Sequence, residues 1–160
     1  MDGEAYHEKL SSARTEALFI LLSLIFFALF AWRLSNFGWS GWTTTFLCVS
    51  VFFLFYIFNY RVLRIRLTSK TLQLTFGIFT WKIAIKNIEK CYLDTPSIGS
   101  VGGAGIHFTW IKGKYRAFFN FLEYPRVVIT FKEKIGPVQE IAFSTRQPEQ
   151  VIGVIEQYSR

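Results

Sequence analysis

Two long apolar segments constrain this chain more than any other feature of its sequence. Residues 17–34 begin with the run ALFILLSLIFFALFAW, and residues 42–60 read WTTTFLCVSVFFLFYIFNY. As a helix rising about 1.5 Å per residue, each segment would cover roughly 27 Å, close to the hydrocarbon thickness of a bilayer. The link between them is short and contains Ser, Asn and Gly, so the pattern predicts a transmembrane helical hairpin.

Basic residues flank this hairpin unevenly. Lys9 and Arg14 precede it, and Arg33, directly after the apolar run 17–32, is the one cation in the link RLSNFGWSG. Four more cations follow it: Arg61, Arg64, Arg66 and Lys70. Since basic flanks are retained on the cytoplasmic side, we expect a multi-pass protein of the cell (plasma) membrane with both termini cytoplasmic. Residues 1–16 are then expected to form an N-terminal cytoplasmic arm.

The sequence period changes to two after residue 61, which is typical of half-buried strands. Leu63, Ile65 and Leu67 alternate with Arg64 and Arg66, and similar alternation recurs along the chain. Seven strands are predicted, near residues 63–67, 72–76, 81–85, 88–93, 114–121, 126–133 and 139–145.

A helix is predicted after the last strand. Pro148 suits a first helical position, and Val151, Ile155 and Tyr158 recur at helical spacing. Together, these elements predict an α+β membrane protein. Its transmembrane hairpin, residues 17–60, precedes an antiparallel β-sandwich or barrel closed by a C-terminal helix, residues 61–160.

Three segments of the chain carry a resemblance to a known family: LTSKTLQLTFGIFTWKIAIKNIEK, the GGAGI turn and the final STRQPEQVIGVIE. With the two apolar segments before them, they resemble the bacterial pleckstrin-homology-like (PH-like) domain family of small membrane proteins, over residues 61–160. The resemblance implies a seven-stranded PH-like domain behind a two-span hairpin. It implies a fold and a location far more than a function.

The net charge of +7 favours an anionic partner. Anionic lipid is favoured over nucleic acid because most of the clustered cations follow a predicted span directly. The residues expected to bind anionic lipid or a partner are Arg61, Arg64, Arg66, Lys70, Lys112, Lys114 and Arg116.

No catalytic, cofactor or metal site is predicted. The glycine-rich stretch GSVGGAGIHF lacks the Lys-Ser/Thr pair of a phosphate-binding loop. Carboxylates are scattered singly, and neither cysteine has metal-ligand spacing. We therefore do not expect an enzyme.

Aromatic residues are dense between residues 108 and 131, where strand alternation can bury only about half of them. The remainder favours an interaction face against lipid, another subunit or a protein partner. The expected function is that of a non-enzymatic, membrane-anchored binding or scaffold protein. Two alternatives stay open: an accessory subunit of a membrane channel or transport assembly, and an anionic-lipid sensor.

Overall fold

The computed structural model describes residues 4–94 and 103–159. The helices are α1 (Ala13–Phe37), α2 (Gly41–Asn59) and α3 (Pro148–Ser159), with one turn of 3-10 helix at Ile85–Asn87. The strands are β1 (Glu4–Ser11), β2 (Val62–Thr68), β3 (Thr71–Phe76), β4 (Phe79–Ala84), β5 (Ile88–Leu93), β6 (Gly105–Ile111), β7 (Lys114–Asn120), β8 (Arg126–Ile135) and β9 (Val138–Ser144). The strands and α3 form one compact unit of this α+β chain, and Ala13–Arg61 forms a second.

The helical unit consists of α1 and α2, and both helices are long and apolar enough to span a membrane. This confirms the two apolar helices that the sequence predicts. The helices are joined by reciprocal hydrogen bonds: Ser23 Oγ donates to Ser50 O over 3.2 Å, and Ser50 Oγ donates to Ser23 O over 3.0 Å. Such polar contacts hold helices together where no water competes for them.

The first sheet is antiparallel, in the order β1-β2-β3-β4. Its first strand comes from the segment that the sequence predicts as an arm, so residues Glu4–Ser11 belong to the folded domain. Tyr6 and Leu10 are buried on the inner side of this strand. Glu8 also lies there, because its carboxylate accepts hydrogen bonds from Thr145 Oγ1 at 2.6 Å and from Arg146 N at 3.0 Å.

The second sheet has the order β5-β8-β9-β7-β6 and is antiparallel except between β7 and β9. The sequence predicts neither β1 nor β6, so the described residues contain nine strands where seven are expected. The hairpin of β6 and β7 turns at Lys112 and Gly113, whose φ angles are 49° and 80°. Two successive positive φ angles match the twist of a tight β-hairpin.

The core lies between the inner faces of the strands. Phe76 of β3 contacts Phe119 of β7 and Phe121, which follows β7, with ring centroids 6.2 and 5.2 Å apart. Helix α3 packs against β5 and β8 and buries Val151 and Ile155 completely. The amphipathic helix predicted at this position is therefore present, with its apolar stripe directed inward.

Candidate functional site

The outer face of the first sheet carries two cross-strand rows of polar and cationic side chains. In one row Lys9 pairs with Arg64, and Arg64 with Thr75. In the next row His7 pairs with Arg66, and Arg66 with Gln73. Directly opposed side chains in a sheet lie about 5 Å apart, so the rows bring Lys9, Arg64 and Arg66 together.

These side chains line a shallow depression of about 350 Å³, which we call the cationic groove. Its lining residues are His7, Lys9, Arg64, Arg66, Gln73, Thr75 and Thr80. The hydroxyl groups of Thr75 and Thr80 lie 3.2 Å apart, and Gln73 Nε2 donates to Thr75 Oγ1 over 3.4 Å. The groove therefore combines cations along β1 and β2 with hydrogen-bonding groups along β3 and β4.

The charged side chains that the structure describes on this face are all cationic. Among the described side chains that point outward from the first sheet, none is a carboxylate, and Lys82 adds a further cation on β4. Like charges directly opposite each other in a sheet are destabilising, so the arrangement of Lys9 beside Arg64 costs stability by itself. An anion in the groove would relieve this repulsion, and Arg can meet a phosphate or carboxylate with two parallel hydrogen bonds.

Only two of the seven cations nominated from the sequence lie in the groove: Arg64 and Arg66. Arg61 belongs to the helical unit, where its Nε lies 3.6 Å from Glu16 Oε1. Lys70 lies in the turn between β2 and β3, beside a separate depression of about 420 Å³. The sequence missed His7 and Lys9, because they join the face only through the pairing of β1 with β2.

The other three nominated cations belong to the β6–β7 hairpin. Lys112 is exposed at its turn, whereas Arg116 is only 5% exposed and lies in a buried ion cluster. Arg116 Nε donates to Glu140 Oε2 over 2.9 Å, and its Nη1 lies 3.3 Å from Asp94 Oδ1. Lys114 Nζ donates to Glu140 Oε1 over 2.8 Å.

The buried ion cluster connects parts of the second sheet to one another. Arg126 Nε reaches Asp94 Oδ2 at 3.1 Å, so the cluster links β5, β7, β8 and β9. Burial opposes the ionisation of Glu140, but hydrogen bonds from Lys114 and Arg116 outweigh it and lower the pKa of that carboxyl. The interaction surface that the sequence predicts at Arg116 is thus not available, because its guanidinium is already held by two carboxylates.

The described part of the chain contains no group of three or more His, Cys, Asp and Glu side chains that could hold a metal ion. Comparison with known proteins gives no further assignment: no protein-family model matches this chain, and no curated protein matches it.

Proposed function

We propose that the chain is a non-enzymatic, membrane-anchored binding or scaffold protein, whose PH-like domain presents the cationic groove at the cytoplasmic face of the cell membrane. The observation that carries the proposal is the pairing of β1 with β2. These strands flank the apolar hairpin, and their pairing makes one binding face from two segments of the chain that the hairpin separates.

Strand order supports a PH-like domain once two hairpin insertions are set aside. The apolar hairpin is inserted between β1 and β2, and the β6–β7 hairpin is inserted between β5 and β8. The remaining strands are the antiparallel series β1 to β4 and the antiparallel series β5, β8 and β9, followed by α3. Seven strands and a C-terminal helix agree in number with this fold, although the set includes β1 and leaves out β7, whereas the seven strands predicted from the sequence include β7 and not β1.

The same pairing supports the proposed membrane topology. A hairpin of two spanning helices returns the chain to the side from which it entered, as the joining of β1 and β2 in one domain requires. Because basic flanks are retained in the cytoplasm, Lys9, Arg14 and Arg61 favour the cytoplasmic side for that domain.

The ligand that fits the groove is an anionic group, either a lipid headgroup or an acidic surface of a protein partner. A cation near an anionic membrane surface contributes about 1 kcal/mol. Removing the charges of Arg64 and Arg66 should therefore weaken the interaction by about 2 kcal/mol, which corresponds to about thirtyfold in affinity.

Native mass spectrometry of the full chain in nanodiscs tests the proposal, with retained lipids and co-purifying chains identified in one sample. The nanodiscs contain phosphatidylcholine and phosphatidylglycerol. We expect the unmodified chain to retain phosphatidylglycerol or an acidic partner chain, and the double variant Arg64→Gln, Arg66→Gln to lose that anionic species.

A matched control removes the same charge elsewhere in the domain. Lys132 and Lys134 are exposed on β8, so the variant Lys132→Gln, Lys134→Gln changes the net charge equally without touching the groove. The control should behave as the unmodified chain does. Equal loss in both variants would show that overall charge and not the groove determines binding. Equal retention by all three chains would show that the groove does not bind the anionic species.

A further inference from the structure

A second surface of the domain is aromatic. Of the seven rings at Phe108, Trp110, Tyr115, Phe118, Phe119, Phe121 and Tyr124, three are buried: Phe118, Phe119 and Phe121. Phe108 and Trp110, however, are 46% and 68% exposed on β6. They stand two residues apart on the strand, so both rings lie on the same side of it.

These rings continue onto the first sheet. Trp81 of β4 lies 6.3 Å from Phe108 between ring centroids, and Tyr115 lies 5.2 Å from Trp110. At the β3–β4 turn, Ile78 and Phe79 are 75% and 44% exposed. We call this surface the aromatic ledge, formed by Ile78, Phe79, Trp81, Phe108, Trp110 and Tyr115. It runs along β4 and β6, which are edge strands of the first and the second sheet.

The two hairpins that carry the ledge are similar in composition. They read FGIFTWK over residues 76–82 and FTWIKGK over residues 108–114, with lysines and no carboxylate in either. Trp and Phe beside Lys is the composition of protein surfaces at the membrane–water interface, where the rings enter the headgroup region and the cations meet anionic lipid.

We propose that the aromatic ledge contacts the headgroup region of a bilayer. Its apolar surface is exposed on the domain, and only two residues, Tyr60 and Arg61, separate α2 from β2. A bilayer entered by the helices therefore lies within reach of the domain, at most about 3.5 Å of chain per linking residue. Lys112 beside Trp110 complements anionic headgroups, which a second copy of the same lysine-bearing hairpin would not do.

Tryptophan fluorescence of the full chain in nanodiscs tests this contact. In a reporter chain the three tryptophans of the helical unit are replaced: Trp32→Phe, Trp39→Phe and Trp42→Phe. Trp81 is kept because it packs against Phe119, with ring centroids 6.0 Å apart, so Trp81 and Trp110 remain. A matched control chain carries the same changes with Trp110→Phe and Tyr158→Trp, which moves one indole to an exposed position on α3.

The nanodiscs contain one chain each, with phosphatidylglycerol and a phosphatidylcholine brominated near the headgroup end of its acyl chains. Trp81 is common to both chains, so any difference between them comes from the position of the second indole. We expect the emission of the reporter chain to be blue-shifted relative to the control chain, more strongly quenched by bromine and better shielded from aqueous iodide. Equal bromine quenching of the two chains would overturn the proposal. Shielding that arises only in discs holding two chains would also overturn it, because a second copy would then cover the ledge.

Discussion

Truncation of one buried side chain on β1 tests whether the N-terminal segment is part of the folded domain. Leu10 is completely buried and pairs with Leu63 of β2. Leu10→Ala removes three buried carbon atoms. At about 0.8 kcal/mol per buried methylene, the loss of apolar burial lowers the free energy of unfolding by about 2.4 kcal/mol. The cavity left behind adds to this loss, so the total should lie between about 2.5 and 5 kcal/mol.

Hydrogen exchange followed by mass spectrometry measures this loss in the full chain in detergent micelles. The slowest amides of β2 and β8 exchange through opening of the domain, so their rates report its free energy of unfolding. A loss of about 2.4 kcal/mol accelerates them about fiftyfold, since each 1.4 kcal/mol is a factor of ten.

The neighbouring residue supplies the control. Ser11 is exposed on the opposite side of the same strand, and the hydrogen bond it receives from Tyr124 goes to its backbone oxygen. Ser11→Ala should change the exchange rates by no more than about twofold, as surface substitutions do. If Leu10→Ala also stays within that range, β1 does not contribute to the core and the reasoning is refuted.

The buried ion cluster and the thiol of Cys91 give three further predictions. Arg116→Met leaves Glu140 and Asp94 buried without their shared cation, so the midpoint of urea unfolding should fall by the equivalent of about 3–5 kcal/mol. The pKa of Glu140 is lowered below its ordinary value of 4.5, so its stabilisation is complete above that pH and is lost as the pH falls through the folded-state pKa. As the pH is lowered from about 6 to about 3, the urea midpoint should therefore fall less steeply in Glu140→Gln. Burial, with a smaller contribution from Glu156, raises the pKa of Cys91 to about 12, so the folded domain should resist iodoacetamide at Cys91 near about pH 8 and react there only after unfolding.

Sequence patterns predict those elements whose side chains obey a simple period. The two apolar helices are the clearest case, observed at Ala13–Phe37 and Gly41–Asn59 against the predicted 17–34 and 42–60. Strands β2 and β3 are equally plain, because Leu63, Ile65 and Leu67 all point inward and the cations between them point outward. The stripe of α3 follows from the same kind of regularity.

Strand β1 is hidden because a carboxylate occupies an inward position. Glu8 stands between Tyr6 and Leu10 and breaks the alternation of apolar and polar residues. Its partners, Thr145 and the backbone of Arg146, lie more than a hundred residues further along the chain. No local pattern shows such a contact, so the part of the cationic groove that β1 contributes, His7 and Lys9, is also hidden from the sequence.

Strand β6 is hidden for a different reason. Its largest side chains, Phe108 and Trp110, are exposed, although Phe108 stands opposite the fully buried Ala117 of β7. Burial along β6 therefore does not follow the apolar residues as it does in an ordinary half-buried strand. Arg116 is the opposite case. A basic residue among lysines is expected on the surface, but this one is buried. Its burial depends on Asp94, which directly follows β5, and on Glu140 of β9.

The most direct test of the whole account is the side of the membrane on which each part of the chain lies. Single cysteines are placed at Ser11 in β1, at Ser69 in the β2–β3 turn and at Trp39 between the helices, in a background with Cys48→Ala and Cys91→Ala. Proteoliposomes carrying each variant are treated with a membrane-impermeant maleimide from one side. We predict that positions 11 and 69 react from the same side and position 39 from the opposite one. Reaction of positions 11 and 69 from opposite sides, or of all three from one side, would contradict a membrane-spanning hairpin inserted between two paired strands.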